Sequence, residues 1–250
     1  MSRLLYVLQV WHGDVDMATE VARLHAEITD KTPYQDVDAM LVYRRDCPRP
    51  RELEELLGGS FSVVRSYRSR RHETGFPAGP NGVWCDTMQH VAAMHRSKEW
   101  KYDCVLTTEA DAIPLVRDWP QRLLAAWDRA ESMVAGCWHP SGEHEVGHIN
   151  GNALFDPLTV TLDPRLAGCA TGVCWDTYLA NVFHQLGWED IPEIRNLYRA
   201  RNVEPFVFEH LLRDGCVWLH GVKDSTARDW ARRRLVSSQK KSFSILSQQG

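Results

Sequence analysis

Short, nearly unbroken apolar runs alternate along the first half of the chain with segments whose apolar residues recur every three or four positions. Residues 4–10, Leu-Leu-Tyr-Val-Leu-Gln-Val, are of the first kind, as expected of a strand covered on both faces of a parallel sheet. Over 15–28, Met17, Val21, Leu24 and Ile28 fall on one helical face, with Asp14 or Asp16 in place to cap it. A second strand is predicted at 39–43, closed by Arg44, Arg45, Asp46 and the prolines at 48 and 50. A short helix at 51–57, stopped by Gly58 and Gly59, leads to a third strand at 61–67. Residues 74–84, Thr-Gly-Phe-Pro-Ala-Gly-Pro-Asn-Gly-Val-Trp, read as a Gly/Pro loop before a helix at 87–95. A fourth strand at 102–106 runs directly into Thr107-Thr108-Glu109-Ala110-Asp111, and a helix at 123–130 and a strand at 133–135 follow.

Strands and helices in alternation imply an α/β fold, an open and mostly parallel mixed sheet with helices on both faces. Ligands of such sheets gather at the carboxyl ends of the strands. The second half is less regular, with apolar pieces at 153–155 and 216–219 and a helix expected over 175–186. One domain is expected over 1–235, followed by a flexible Ser/Gln/Lys-rich tail at 236–250.

Composition changes this picture little. The 250 residues are 44% hydrophobic and 25% charged, in the ordinary globular range. A formal net charge of -4 argues against a surface given over wholly to nucleic acid. Two basic clusters stand out, Arg65, Arg68, Arg70 and Arg71, then Arg228, Arg232, Arg233 and Arg234 followed by Lys240 and Lys241. Such runs read first as solvated faces. Seven irregularly spaced cysteines, with no signal-peptide pattern at the start, predict free thiols and a cytoplasmic location. No run approaches the roughly 18 apolar residues of a membrane span, so no stable membrane insertion is expected.

Chemistry concentrates after the fourth strand. Glu109 and Asp111 are two apart, so in an extended segment both carboxylates leave the same side of the chain and can hold a hard cation with vacant positions left for phosphate and water. His220 ends the apolar run 216–219, Gly221 allows close backbone approach to a phosphate, and Lys223 supplies charge. A rival is spelled by His144-Glu145-Val146-Gly147-His148, the H-E-x-x-H pattern of zinc metallopeptidases. It requires both histidines on one helix face, whereas Pro140, Gly142 and Gly147 oppose a helix there and Leu154 stands where a third histidine would fall.

The segment 102–111, Tyr-Asp-Cys-Val-Leu-Thr-Thr-Glu-Ala-Asp, resembles the strand and D-x-D motif of GT-A-fold nucleotide-sugar glycosyltransferases, with Glu109 in place of the first Asp and Asp111 favoured as the direct ligand. The likeness extends over most of the chain. Gly75-Phe76-Pro77-Ala78-Gly79-Pro80-Asn81 resembles the donor-side loop, and 147–155 the acceptor-side loop and strand. Trp175-Asp176 resembles the acidic site beyond them, and Leu219-His220-Gly221-Val222-Lys223 a His-Gly-x-Lys segment. The resemblance implies a metal-dependent, hexosyltransferase-like enzyme moving sugar from a nucleotide-diphosphate sugar, a UDP-sugar as first choice, to a hydroxyl acceptor. That acceptor is a glycan, a protein or a hydroxymethylated base in phage-type DNA. Mn²⁺ or Mg²⁺ would be held by Glu109, Asp111 and His220, with Asp176 and Asn150 catalytic. Val10, Trp11, Arg44, Asn81, Asn152, Gly221 and Lys223 would contact the donor. Residues 1–132 would form the nucleotide-sugar-binding half and 133–235 the acceptor-side half. A non-catalytic nucleotide-sugar-binding relative is the remaining alternative.

Overall fold

A computed structural model describes residues 2–30, 32–140, 147–168 and 172–236. Its elements run β1 Leu4–Val10, α1 Val15–Thr29, β2 Val37–Tyr43, α2 Arg51–Gly58, β3 Val64–Arg68, α3 Ala78–Arg96, β4 Cys104–Thr108, β5 Ile113–Pro114 and α4 Trp119–Arg129. They continue as β6 Val134–His139, β7 His148–Phe155, α5 Pro164–Ala167, α6 Trp175–Tyr178, α7 Ala180–Leu186, β8 Trp188–Asp190, β9 Ile194–Ala200, α8 Pro205–Arg213, β10 Trp218–Val222 and α9 Thr226–Ala231.

Seven strands form the main sheet in the order β3-β2-β1-β4-β7-β6-β8, and β5-β10-β9 form a second, smaller sheet. In the main sheet every strand is parallel except β7, which runs antiparallel to both β4 and β6. The continuous apolar runs follow from burial of both sheet faces. Leu4, Tyr6 and Leu8 of β1, Leu41 of β2 and Leu106 of β4 join one core with Leu24 of α1, Leu53 of α2 and Trp119 of α4. Leu5, Val7, Met40, Val42 and Val105, one position out of phase, join the other core with Trp84 of α3, Trp175 of α6 and Phe183 of α7. Each fully buried Leu or Val contributes about 1.5–3 kcal/mol, and a one-residue slip would exchange the two faces of a strand.

The first 70 residues follow the predicted strand, helix and strand order, whereas three other expectations are corrected. The Gly/Pro segment at 74–84 is not all loop, because α3 begins at Ala78. Pro80 falls in the first turn, where its missing N–H has no intrahelical acceptor to lose. Gly79 there lets the helix approach Arg44, since an added Cβ would meet Arg44 Nη1 at 2.9 Å. The helix expected over 175–186 breaks at Leu179 into α6 and α7. Asp14 does stand at the N-cap of α1, but its side chain makes no capping hydrogen bond. Strand β9 and helices α8 and α9 were not marked by the apolar pattern.

Candidate active site

β4 delivers its last residues to the sheet mouth under tight restraint. Thr107 Oγ1 donates to the Gly151 carbonyl at 2.7 Å and Thr108 Oγ1 to the Val7 carbonyl at 3.0 Å. The chain then turns, with the Ala112 N–H donating to the Glu109 carbonyl at 3.2 Å. The expected extended geometry of 109–111 is therefore replaced by a turn, which still brings the two carboxylates together. The Glu109 N–H donates to Asn152 Oδ1 at 3.0 Å, fixing the turn from below.

β10 brings His220 to the same point. The reason is local pairing: just after Asp111, β5 pairs antiparallel with the residues just before His220, Ile113 opposite Leu219 and Pro114 opposite Trp218. Two segments distant in sequence are thus joined by a short ladder. His220 Nε2 lies 3.2 Å from Glu109 Oε2 and 3.1 Å from Asp111 Oδ1, and Lys223 Nζ lies 2.6 Å from Asp111 Oδ2. At Gly221 the register with β9 shifts and φ is 95°. A Cβ there would sit 2.3 Å from Asn196 Oδ1, so only glycine allows the bulge that separates His220 from Lys223.

The electrostatics are those of a shared charge site. Burial pulls the His220 imidazole down, but its hydrogen bonds to Asp111 and Glu109 outweigh burial and raise its pKa to about 9. Burial pushes Asp111 up, yet His220 and Lys223 hold its carboxyl well below the usual range. One ligand atom from each of Glu109, Asp111 and His220 lies within 4.8 Å of the others. Two carboxylates and one imidazole suit Mg²⁺ or Mn²⁺ with positions left for phosphate and water, and lack the thiolates of a closed structural zinc site. Asp111 is buried while the Glu109 side chain is 55% exposed, so Asp111 is the better fixed of the two.

Beside this cluster a pocket of about 310 Å³ opens at the ends of β1 and β2, lined by Val10, Trp11, Arg44, Phe76 and Glu109 among others. Arg44 pairs with Asp46 through two 2.5 Å contacts and lies over the Trp11 ring at 5.4 Å. Two residues of this pocket were not singled out in the sequence as site residues, although Phe76 lies in the segment that resembles the donor-side loop. Asp14, read as a helix cap, lines it, and burial followed by the charge of Glu109 raises its pKa to about 6. Phe76, 74% exposed, lies on the pocket wall, and an aromatic inside a Gly/Pro segment was the available signal.

The other candidate residues sit in hydrogen-bonded or packed settings around the cluster. Asn81 is buried in α3, its amide donating to the Val173 carbonyl at 2.8 Å and accepting from the Trp175 N–H at 2.8 Å, which ties down the start of α6. Asn152 is buried under Glu109, and Asn150 Oδ1 accepts from the Asn152 N–H at 3.1 Å and its amide at 3.2 Å. Asp176 lies in the first turn of α6, held against α3 by Trp175 stacked on Trp84 with ring centroids 3.9 Å apart. Burial, with the charge of Glu109, raises the Asp176 carboxyl, and His148 opposes that shift.

The zinc-peptidase alternative meets a structural obstacle. His144 and Glu145 lie outside the described residues, but His148 opens strand β7 directly opposite His139 of β6. A histidine in a strand cannot share a helix face with one four residues earlier. The basic cluster at 228–234 is partly neutralised, Arg232 pairing with Glu27 at 2.7 Å and Arg234 with Glu209 at 2.8 Å. Cys47, Cys85, Cys104, Cys137, Cys174 and Cys216 are free thiols. No helix among the described residues is long and apolar enough to cross a membrane.

The sequence matches no protein-family model and no curated protein. Solved structures do share its fold. The bifunctional glycosyltransferase WbbM is similar over 88% of this chain and 45% of its own, with 11% identity and a TM-score of 0.54. The glycosyltransferase GlyE of Streptococcus pneumoniae TIGR4 is similar over 98% of this chain and 64% of its own, with 10% identity and a TM-score of 0.52. A 4-diphosphocytidyl-2C-methyl-D-erythritol synthase follows at 11% identity over 85% of this chain and 99% of its own, with a TM-score of 0.49. The chain thus spans 45% and 64% of the two glycosyltransferases it matches. At these identities the likeness is one of fold, and the chain has the GT-A type of fold.

Proposed function

We propose that this chain is a glycosyltransferase that moves a sugar from a nucleotide-diphosphate sugar to a hydroxyl acceptor, using a divalent cation held by Asp111, His220 and Glu109. The observation that carries the reading is the meeting of these three side chains at the mouth of the sheet, beside a pocket at the ends of β1 and β2. Mn²⁺ or Mg²⁺ is the cofactor and a UDP-sugar the first donor to test. The free thiols agree with a cytoplasmic enzyme. Residues 1–132 supply the nucleotide side and 133–235 the acceptor side.

Glycosyl transfer builds positive charge at the anomeric carbon while negative charge gathers on the departing diphosphate. A bound cation would neutralise part of that charge. Lys223 adds a fixed ammonium beside Asp111, and its pre-placement avoids reorganisation during the reaction. The Gly221 bulge sets the separation of His220 and Lys223. Asp176 orients an incoming hydroxyl or takes its proton, and Asn150 steadies Asn152 beneath the Glu109 turn. Trp11 and Phe76 offer ring surface to the nucleobase, with Val10 and Arg44 completing that wall.

The test is a screen of nucleotide sugars with Mn²⁺ or Mg²⁺, reading released nucleotide. Metal-dependent release is expected for at least one donor, and zinc-dependent peptide cleavage in its place would overturn the reading. Within it, Phe76→Ala is expected to raise the donor KM roughly tenfold with kcat little changed, since base stacking is worth about 1–3 kcal/mol. An unchanged KM would remove Phe76 from the donor pocket.

Metal uptake is expected to depend on pH with a defined sign. In the metal-free chain His220 keeps its proton up to about pH 9, so a cation must displace that proton at neutral pH. Mn²⁺ affinity should therefore rise as pH increases from 6 toward 9, by up to about tenfold per unit. Calorimetry in two buffers of different ionisation enthalpy should detect close to one proton released per cation at pH 7. The folded-state pKa lies above the ordinary value of 6.5, so the stability His220 gives the metal-free fold is full below about 6.5 and lost as pH rises through about 9.

A further inference from the structure

The carboxyl ends of β2 and β3 gather arginines around a second cavity. Arg44 and Arg45 follow β2, Arg68 ends β3 in register with Tyr43, and Arg71 and His72 come just after it. With Asp46, Glu73 and Thr74 these residues line a space of about 280 Å³. Its frame is held by Asp86 of α3, which is buried and accepts from Ser69 Oγ at 3.0 Å and from the Arg70 N–H at 2.6 Å. The Ser69 N–H donates to the Tyr43 carbonyl at 3.0 Å, carrying the strand pairing one residue further. Arg68 Nε donates to the Arg45 carbonyl at 3.1 Å and ties the two sides of the mouth together.

Four guanidinium groups line this cavity against two carboxylates. Asp46 is spent on Arg44, and Glu73 Oε1 stands 3.6 Å from Arg71 Nε, which is buried and has no hydrogen-bond partner. Arg45 instead meets His72 Nε2 at 2.9 Å, and Arg68 a backbone carbonyl. Among the described residues no carboxylate pairs with either of them, nor with the neighbouring Arg70. Elsewhere Arg23, Arg49, Arg122, Arg129, Arg165 and Arg232 each meet a carboxylate at hydrogen-bonding distance. Positive charge that the chain balances at those places is left over here, inside a concave space, where it concentrates an attractive field for anions.

We infer that this cavity is an anion site, separate from the cation cluster, that takes the phosphate groups of a polynucleotide, a binding property that stands whether or not the chain transfers sugar. A guanidinium is a planar fork that matches phosphate oxygens two at a time and stays charged at any working pH. Arg45, Arg68, Arg70 and His72 are exposed around the mouth, so donors continue past the cavity itself, as suits a chain of phosphates better than one free ion. A bilayer presents its headgroups on a plane, which reaches the rim but not the buried Arg44 and half-buried Arg71 of the walls. Arg44 also lines the nucleotide pocket, so a strand held here passes beside that pocket.

The experiment is fluorescence anisotropy on the full chain with a short labelled single-stranded oligonucleotide, in EDTA and without donor, so that neither the cation site nor sugar transfer enters the readout. An oligonucleotide of the same bases with an uncharged methylphosphonate backbone, inorganic phosphate and phosphatidylglycerol vesicles are tested in parallel. The charged strand is expected to bind, at least tenfold more weakly in Arg45→Ala/Arg68→Ala, with the salt slope of log K reduced by about 1 to 1.5 for the two lost phosphate contacts. Arg45→Glu, a single change at an exposed side chain, should weaken it in the same direction, and Arg122→Ala, which removes an arginine paired with Asp118, should leave it unchanged. Thermal melts check that each variant is folded. Undiminished binding by folded Arg45→Ala/Arg68→Ala or Arg45→Glu, equal binding of the methylphosphonate strand, or binding of inorganic phosphate or vesicles without the oligonucleotide would overturn the inference. Loss of nucleotide release with oligonucleotide binding intact would sink only the glycosyltransferase reading, so the two failures are distinguishable.

Discussion

Asp111→Asn is expected to lower metal-dependent nucleotide release by roughly 10²–10³-fold, the range seen when one charge-stabilising group is removed from a pre-organised site. The amide keeps the shape of the side chain and loses its charge. Asp111 is the buried member of the cluster, its side chain 2% exposed, with His220 at one oxygen and Lys223 at the other. Without its charge Lys223 loses its counter-ion in the metal-free protein and His220 keeps only Glu109. Breaking such a pair from one side costs about 3 kcal/mol or more, equivalent to a fall of roughly 6–12 °C in melting temperature for a chain of this size. Glu109→Gln, acting on a side chain 55% exposed, should have the smaller effect on both readouts. Calorimetric Mn²⁺ binding and a thermal melt on the two variants check the order. Equal or larger losses in Glu109→Gln would mean that burial of Asp111 does not set its weight in the site.

Gly221→Ala should be strongly damaging, though it exchanges a single hydrogen for a methyl group. Its φ of 95° already costs about 1–3 kcal/mol for a residue with a side chain. The added carbon would also lie 2.3 Å from Asn196 Oδ1, 3.0 Å from Tyr198 N and 3.1 Å from the Leu197 carbonyl carbon. Two of these three atoms are backbone of β9 and cannot rotate away. A loss of about 3 kcal/mol and a melting temperature lower by roughly 6–12 °C are expected. Mn²⁺ affinity should fall as well, because the bulge sets where His220 points. A variant with wild-type melting and wild-type Mn²⁺ affinity would show that the bulge relaxes freely and is not what aims the imidazole.

The parts of this fold that were readable from sequence are those where burial acts on every residue. β1 and β2 are apolar nearly without interruption because both faces of the sheet are covered, and α1 carries one apolar stripe because it has one buried face. The carboxylates at 109 and 111 were visible because they follow such a strand at its carboxyl end. That His220 would meet them was suggested only by resemblance, because its physical cause is the two-residue ladder between β5 and β10, too short to leave a periodic signal.

Elsewhere local rules were overridden. β9 carries Arg195 and Arg199 among apolar residues and lies at the edge of the smaller sheet, so its pattern reads as loop. The start of α3 was hidden by two glycines and a proline that serve close packing and a first turn. Asn81 and Asn152 were marked as polar residues near a ligand. Both are buried, Asn81 spending its amide on two backbone groups and Asn152 on the Glu109 N–H and the Asn150 side chain, a distinction that requires knowing which N–H groups the turns leave unpaired. Phe76 and Asp14 look like loop and cap in sequence, and only the meeting of their elements puts them on one pocket wall.

The most direct measurement is a crystal grown with Mn²⁺ and UDP and examined by anomalous scattering at the manganese edge. The expected result is one strong peak in direct contact with an Asp111 oxygen and with His220 Nε2, Glu109 completing the protein side and diphosphate oxygens opposite. A peak away from His220, or a nucleotide bound with no metal between it and Asp111, would contradict it.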